Sequence, residues 1–250
     1  MSGHSKWHSI KHKKGAADAK RGKIFTVHAK LITIAARDGG GDPEMNPTLR
    51  VAIDNAKSDN VPNANIERAV KRGTGELKDS AILEEITYEG YGPAGIAVYI
   101  QSVTDNKNRT VSNIKNILTK NGGNMGTSGS VAYMFKRQGV VTVKTQPGKN
   151  EDLELAAIEA GADDIEIDES TASIYTDPKN LHAVKKAVED AGFNVESAEI
   201  AFNPETPIKI ADEEKARKIL KFMDALEDDE DIINVFSNFD IPEEILNKLE

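Results

Sequence analysis

The chain contains no cysteine. That absence excludes disulfide scaffolds, thiolate zinc centres, iron–sulfur clusters and a cysteine nucleophile. It suits a reducing compartment. No run approaches the roughly 18 apolar residues of a membrane span, so no membrane partner is expected. Aromatic residues amount to 5%, and the one tryptophan, Trp7, sits among lysines. Within the first 22 residues only Trp7 and Ile10 are large and apolar, too few for the core of a secretory signal. Arg21 is the first arginine, which argues against an arginine-rich mitochondrial presequence. Glycine stands at position 3 rather than 2, so no myristoylation site is indicated. The expectation is a cytoplasmic protein.

What is present is charge, unevenly spread. The 250 residues carry a formal net charge of −9. Residues 1–37 nevertheless hold nine Lys/Arg and one acid, Asp18, while residues 151–250 hold nine Lys/Arg and twenty-eight Asp/Glu. Such asymmetry points to a polyanion-binding end, and the acidic remainder maintains solubility and discourages indiscriminate binding. The candidate nucleic-acid contacts are Lys6, Trp7, His8, Lys11, His12, Lys13, Lys14, Lys20, Arg21, Lys23 and Lys30. Lysines would meet phosphates, and Trp7 would stack on an exposed base or pack on a groove wall.

The pattern along the chain predicts an α+β protein of three domains. Residues 1–22 read as a basic arm, too polar to offset its ordering entropy without a partner. Residues 23–78 read as a small helical bundle. A helix over 23–37 stops at Gly39–Gly41, a second starts at Asn46-Pro47, and a third, capped by Asn63, ends at Gly73. Lys78–Ala81 reads as a hinge. Residues 79–137 with 203–250 read as an α+β domain. It comprises strands at Ile86–Gly90 and Ile96–Val103, a helix over Arg109–Lys120, a strand at Ser130–Lys136, a helix over Asp212–Leu226 and a strand at Ile232–Phe236. Residues 138–202 have the order βαββαβ of a ferredoxin-like unit and read as a domain inserted into the previous one. Its first strand is expected at Val140–Thr145.

Chemistry is harder to find. His4, His8 and His12 recur at spacing four, but Gly3 and the surrounding lysines disfavour both a helix and a dication, so no metal is expected. His28, on an apolar helix face, reads as a packed, hydrogen-bonded side chain, and His182 as a helix-surface residue. Gly39–Gly41 and Gly126–Ser130 match no nucleotide-cradle motif and read as loops. Asp105 or Asn106 suits a helix N-cap, and Lys107 and Arg109 beside them form a secondary candidate for nucleic-acid contact. The acid run Glu227–Asp231 lacks calcium-loop spacing and reads as a solvated loop. No Ser/His/Asp set or carboxylate pair stands out. The chain is expected to have no catalytic residues, no cofactor and no small-molecule substrate.

Several stretches also look familiar as text. Gly3–Gly15 (GHSKWHSIKHKKG) with Ala16–Phe25 resembles the opening of the YebC/PmpR family. So do Asn46–Arg50, Asn65–Ala69, Tyr88–Pro93, Thr104-Asp105-Asn106 with Asn108–Thr110, Gly129–Val131 and Ser237–Asp240, in unbroken order over the whole chain. The resemblance implies three domains, one helical and two α+β, around a cleft. It implies no enzyme activity and no obligate cofactor. Bacterial members are described as probable DNA-binding transcriptional regulators, and some are linked to ribosomes stalled on proline-rich stretches. The mitochondrial relative activates translation of cytochrome c oxidase subunit I. Ala94 stands where the family turn usually has glycine, and Lys115-Asn116 where Arg-His is expected. The partner is thus nucleic acid: either DNA, or ribosomal RNA or tRNA on the ribosome.

Overall fold

The computed structural model describes residues 18–77, 82–146, 148–168 and 171–249, without the side chains of 18–21, 243 and 247. The hinge expected at Lys78–Ala81 lies outside the described residues. The chain divides into two compact units: residues 81–136 with 202–250, and residues 18–80 with 137–201. It passes from one unit to the other inside two long strands.

Three helices open the second of these units: α1 (Asp18–Gly39), α2 (Pro47–Ser58) and α3 (Asn63–Gly73). The first begins earlier than its apolar spacing suggests, so Lys20 and Arg21 lie on α1 rather than in an arm. Asn46 caps α2 as its sequence predicts, accepting the Leu49 amide at 3.1 Å. Its buried side-chain amide also donates to the carbonyls of Ala35 and Gly40, both at 2.8 Å. One asparagine therefore satisfies orphan groups at the end of α1 and the start of α2. Asn63, in contrast, does not cap α3. It is already helical, and Pro62, with its fixed φ, precedes it. Ile32, Ala36, Leu49, Ala56, Ile66 and Ala69 form the core. His28 packs beside it with Nε2 2.6 Å from Asp59 Oδ2, as its apolar setting suggests.

The same unit contains a four-stranded sheet ordered β5-β6-β4-β7. Its elements are β4 (Phe135–Lys144), α5 (Asn150–Glu159), β5 (Ala162–Ile167), β6 (Thr171–Thr176), α6 (Leu181–Asp190) and β7 (Val195–Pro204). Both helices bury one face on the sheet through Leu153, Ala157, Val184 and Val188, against Val141, Val143 and Ile174. This is the ferredoxin-like order read from the sequence. Of the strand expected at Ser130–Lys136 only Phe135 and Lys136 are extended, and they are continuous with the strand expected at Val140–Thr145 in one strand, β4, which runs through Gly139 paired with Thr176. α6 also meets the helical bundle. Lys185 Nζ lies 2.9 Å from Asp54 Oδ2, and Asn55 donates to the Ala198 carbonyl at 2.9 Å. His182 sits one turn before Lys185 on that face, half-buried, with Nδ1 lacking a hydrogen-bond partner, so it is no simple surface residue.

The other unit is built on an antiparallel sheet ordered β3-β1-β2-β9. Its strands are β1 (Glu84–Tyr91), β2 (Ala97–Thr104), β3 (Asn124–Met125) and β9 (Ile232–Ser237). α4 (Lys107–Lys120), α7 (Glu213–Glu227) and α8 (Glu243–Leu249) cover one face. Ile114, Leu118, Ile219, Phe222, Met223 and Leu246 from these helices meet Ile96, Val98, Ile100 and Val235. β9 pairs with β2, so residues after 203 complete the sheet begun before 137, and the ferredoxin-like segment is inserted between them. The opposite sheet face carries Tyr99 and Phe236, covered by Phe202, whose ring centroid is 4.5 Å from that of Tyr99. A parallel pair, β8 (Ile208–Lys209) and β10 (Phe239–Asp240), is too short to announce itself in the sequence.

The turn between β1 and β2 carries one local cost. Ala94 adopts φ 59°, the left-handed region, where its Cβ crowds the backbone. Ala94→Gly is expected to raise unfolding stability by about 1 kcal/mol, measured by urea denaturation. An unchanged midpoint would show that the turn relaxes around alanine.

Candidate nucleic-acid interface

Of the residues proposed from sequence, Lys6, Trp7, His8, Lys11, His12, Lys13 and Lys14 lie outside the described residues. Lys20 and Arg21 occupy the first turns of α1. Lys23 and Lys30, two turns apart, share one stripe of α1, and both are half-buried. Further along, the bundle neutralises its own charge. Arg37 contacts Asp38 at 2.7 Å, and Arg50 lies 3.6 Å from the Glu44 carboxylate. The cationic excess of the bundle therefore belongs to its N-terminal end.

The secondary candidates lie at the start of α4, where Asn106 rather than Asp105 caps the helix by accepting the Arg109 amide. Arg109 is paired with carboxylates of its own chain, although its side chain stays 47% exposed. Its guanidinium donates to both Asp231 oxygens, at 2.8 and 3.0 Å, and to Asp105 at 2.9 Å. The hydrogen bond to Asp231, then that to Asp105, pushes the Arg109 pKa further up. Asp231 is buried and also accepts the Thr110 hydroxyl at 2.9 Å. The acid run is therefore not wholly a solvated loop: its last member anchors the N-terminus of α4. Lys107 pairs with Glu84 at 2.6 Å.

The glycine-rich loop at 126–130 is likewise built around an internal anion. Glu89, on β1, is buried at 7% exposure. Its Oε1 accepts the Gly129 amide at 2.6 Å, and its Oε2 accepts the Val131 and Ala132 amides at 2.7 and 2.8 Å. Burial pushes the Glu89 pKa up, but the three backbone bonds outweigh it and hold the carboxyl below its usual value. The loop is a cluster of amides already filled by a carboxylate, in keeping with its lack of a nucleotide motif.

Two features escaped the residue-by-residue reading. Residues 106–150 contain eight Lys/Arg and no Asp/Glu, a signal present in the sequence but averaged away over longer windows. Within that stretch Tyr133 is 70% exposed. It is the one exposed aromatic side chain among the described residues. Among those residues, no group of three His, Asp or Glu side chains is placed to hold a metal, and no helix is long and apolar enough to cross a membrane.

Comparison with known proteins accounts for the full length. Residues 5–76 match the model of the TACO1/YebC protein N-terminal domain, and residues 83–239 that of the TACO1/YebC second and third domain. A protein of Halothermothrix orenii called "probable transcriptional regulatory protein" is 51% identical, with 100% of this chain and 99% of that one covered. One of Persephonella marina with the same description is 50% identical over the whole of both chains. The crystal structure of a conserved hypothetical protein from Aquifex aeolicus superposes with a TM-score of 0.84 at 46% identity, covering 92% of this chain and 94% of that one. With both family models matched in order and the fold shared, this chain belongs to the TACO1/YebC family.

Proposed function

We propose that this protein is a non-enzymatic, cytoplasmic, nucleic-acid-binding regulator of gene expression, of the transcriptional kind its relatives' names describe. The reading is carried by one observation: nine Lys/Arg against a single acid in residues 1–37 of a chain whose net charge is −9. Lys6, Lys11, Lys13, Lys14, Lys20, Arg21, Lys23 and Lys30 neutralise phosphates, and Trp7 stacks or packs, with His8 and His12 beside it. Each neutralised phosphate releases condensed counterions, so affinity is steeply salt-dependent.

The alternative is a translation factor on ribosomal RNA or tRNA that relieves stalling on proline-rich stretches. It is favoured by the commitment of Arg109 to Asp231, which leaves α4 without a free arginine at its N-terminus to read guanine in a DNA major groove. Lys107 and Arg109 are on this account supports of α4, and contact phosphate only secondarily.

The test is a titration of duplex DNA and of structured RNA between 50 and 200 mM KCl, with wild type and the Lys11→Ala/Lys13→Ala/Lys14→Ala variant. If about five phosphates are contacted, the log–log slope for duplex DNA is near −4, and removing three lysines reduces its magnitude by about 2.5. Equal slopes would overturn the arm's role. Crosslinking in cells then separates the readings: promoter DNA for a transcriptional regulator, ribosomal RNA or tRNA for a translation factor.

A further inference from the structure

We infer that Tyr133 is a stacking platform for an unpaired base of single-stranded RNA, on a rigid turn far along the sequence from the basic N-terminal segment. The inference rests on the nucleic-acid reading above and adds to it a second contact with different physics.

The case begins with exposure. Tyr133 lies in a short 3-10 turn, Ala132–Met134, with 70% of its surface open. Its neighbours two residues away on either side are anchors: Val131 is 0% and Phe135 7% exposed. Phe135 packs against Tyr99 with ring centroids 6.1 Å apart. The backbone is pinned from several sides. Glu89 takes the amides of Gly129, Val131 and Ala132, and the Tyr91 hydroxyl donates to the Ser130 carbonyl at 3.1 Å. The Glu205 amide donates to the Met134 carbonyl at 2.9 Å. An aromatic ring turned outward on a turn this constrained loses little backbone freedom when it is covered, which favours binding.

The surroundings decide what covers it. The exposed residues nearest in sequence are Thr127, Ser128, Gly129, Lys136 and Arg137: two hydroxyls, a bare backbone and two cations, with one exposed acid, Glu205, joined to Met134 through its backbone amide. The turn lies within the acid-free stretch 106–150, and Glu89, which its amides hold, is buried. A protein hot spot would be expected to bring further apolar side chains to the patch. Here an exposed aromatic face in a stretch that offers two hydroxyls and two cations, Lys136 and Arg137, against the single acid Glu205 matches a base with its sugar-phosphate. Unpaired bases are the ordinary state of RNA loops, and duplex DNA keeps its bases stacked on each other. Stacking on tyrosine tolerates any base, so this contact adds affinity for single strands without reading sequence.

The experiment uses the full chain and a 12-nucleotide single-stranded RNA carrying 2-aminopurine, whose fluorescence is quenched on stacking. Tyr133→Ala is expected to weaken binding about tenfold and abolish the quench, with an unchanged salt slope, because no charge is removed. Tyr133→Phe and Tyr133→Trp should retain both, since the ring and not the hydroxyl acts. Duplex RNA of the same length should bind wild type and Tyr133→Ala alike, and single-stranded DNA reports how far the 2′-hydroxyl matters. Because the side chain is exposed, thermal unfolding of all three variants should match wild type. Wild-type affinity in Tyr133→Ala, or equal losses in Tyr133→Phe and Tyr133→Ala, would overturn the inference. If the lysine variant loses binding while Tyr133→Ala does not, the basic segment stands and the platform fails. If wild type binds neither strand nor duplex, the nucleic-acid reading itself has failed.

Discussion

Glu89→Ala is expected to lower stability by about 3 kcal/mol, because three amide donors lose a charged acceptor, one of them buried and two part-buried. Each neutral bond is worth about 1 kcal/mol, and bonds to a charge somewhat more. Glu89→Gln should be milder. Its carbonyl oxygen can retain the Val131 and Ala132 amides, while its NH₂ then faces the Gly129 amide, donor against donor. The dependence on pH has a definite sign. The folded Glu89 pKa lies below the ordinary 4.5, so its contribution is complete above that value and is lost as pH falls through the folded pKa. The gap in urea midpoint between wild type and Glu89→Gln should therefore be constant near neutrality and close in acid. A gap that persists undiminished at the lowest pH where both still fold would show that side-chain shape, not charge, holds the loop. If the Tyr133 platform is correct, Glu89→Ala also weakens single-strand binding by loosening the turn, though Tyr133 is intact.

Gly73→Ala should cost about 2 kcal/mol. A Cβ at Gly73 falls inside contact distance of the Thr33 carbonyl oxygen and lies 2.7 Å from Ala36 Cβ. α1 and α3 thus cross with their backbones in contact, and neither obstacle is a flexible side-chain end. Overpacking of this kind costs about 3 kcal/mol, against about 1 kcal/mol gained in helix propensity, so the steric term wins. Gly22→Ala is the internal control. It is the same substitution on α1, where nothing lies within 4 Å of the added carbon, and it should stabilise by up to about 1 kcal/mol. Opposite signs in thermal unfolding would assign the Gly73 effect to the crossing. Stabilisation at both sites would mean that the helices can separate without cost.

The helix and strand pattern was legible because it is local. Asn46-Pro47 places a cap acceptor and a preset φ in adjacent residues, and both act as the spacing predicts. The alternation of Ile96, Val98 and Ile100 with Ala97 and Tyr99 separates the two faces of β2 as observed. Errors arose where local signals compete. Asn63 has the chemistry of a cap, yet the cap position is taken by Pro62 and Asn63 is the first helical residue. The strand expected at Ser130–Lys136 has the right apolar composition, but its first half is drawn into a turn by an acceptor on β1.

Charge asymmetry, the order of secondary-structure elements, the inserted ferredoxin-like pattern and the family resemblance were all determined by the sequence alone. Each depends on residue identity or on spacings within a few turns of chain. Tertiary structure alone decided which charges are available. Arg109 meets Asp231 across 122 residues, and Glu89 meets Gly129 across 40. The first forms because β9 pairs with β2 and the second because β3 pairs with β1, and no local periodicity encodes either. The first pairing engages the Arg109 guanidinium with Asp231 while its side chain stays 47% exposed.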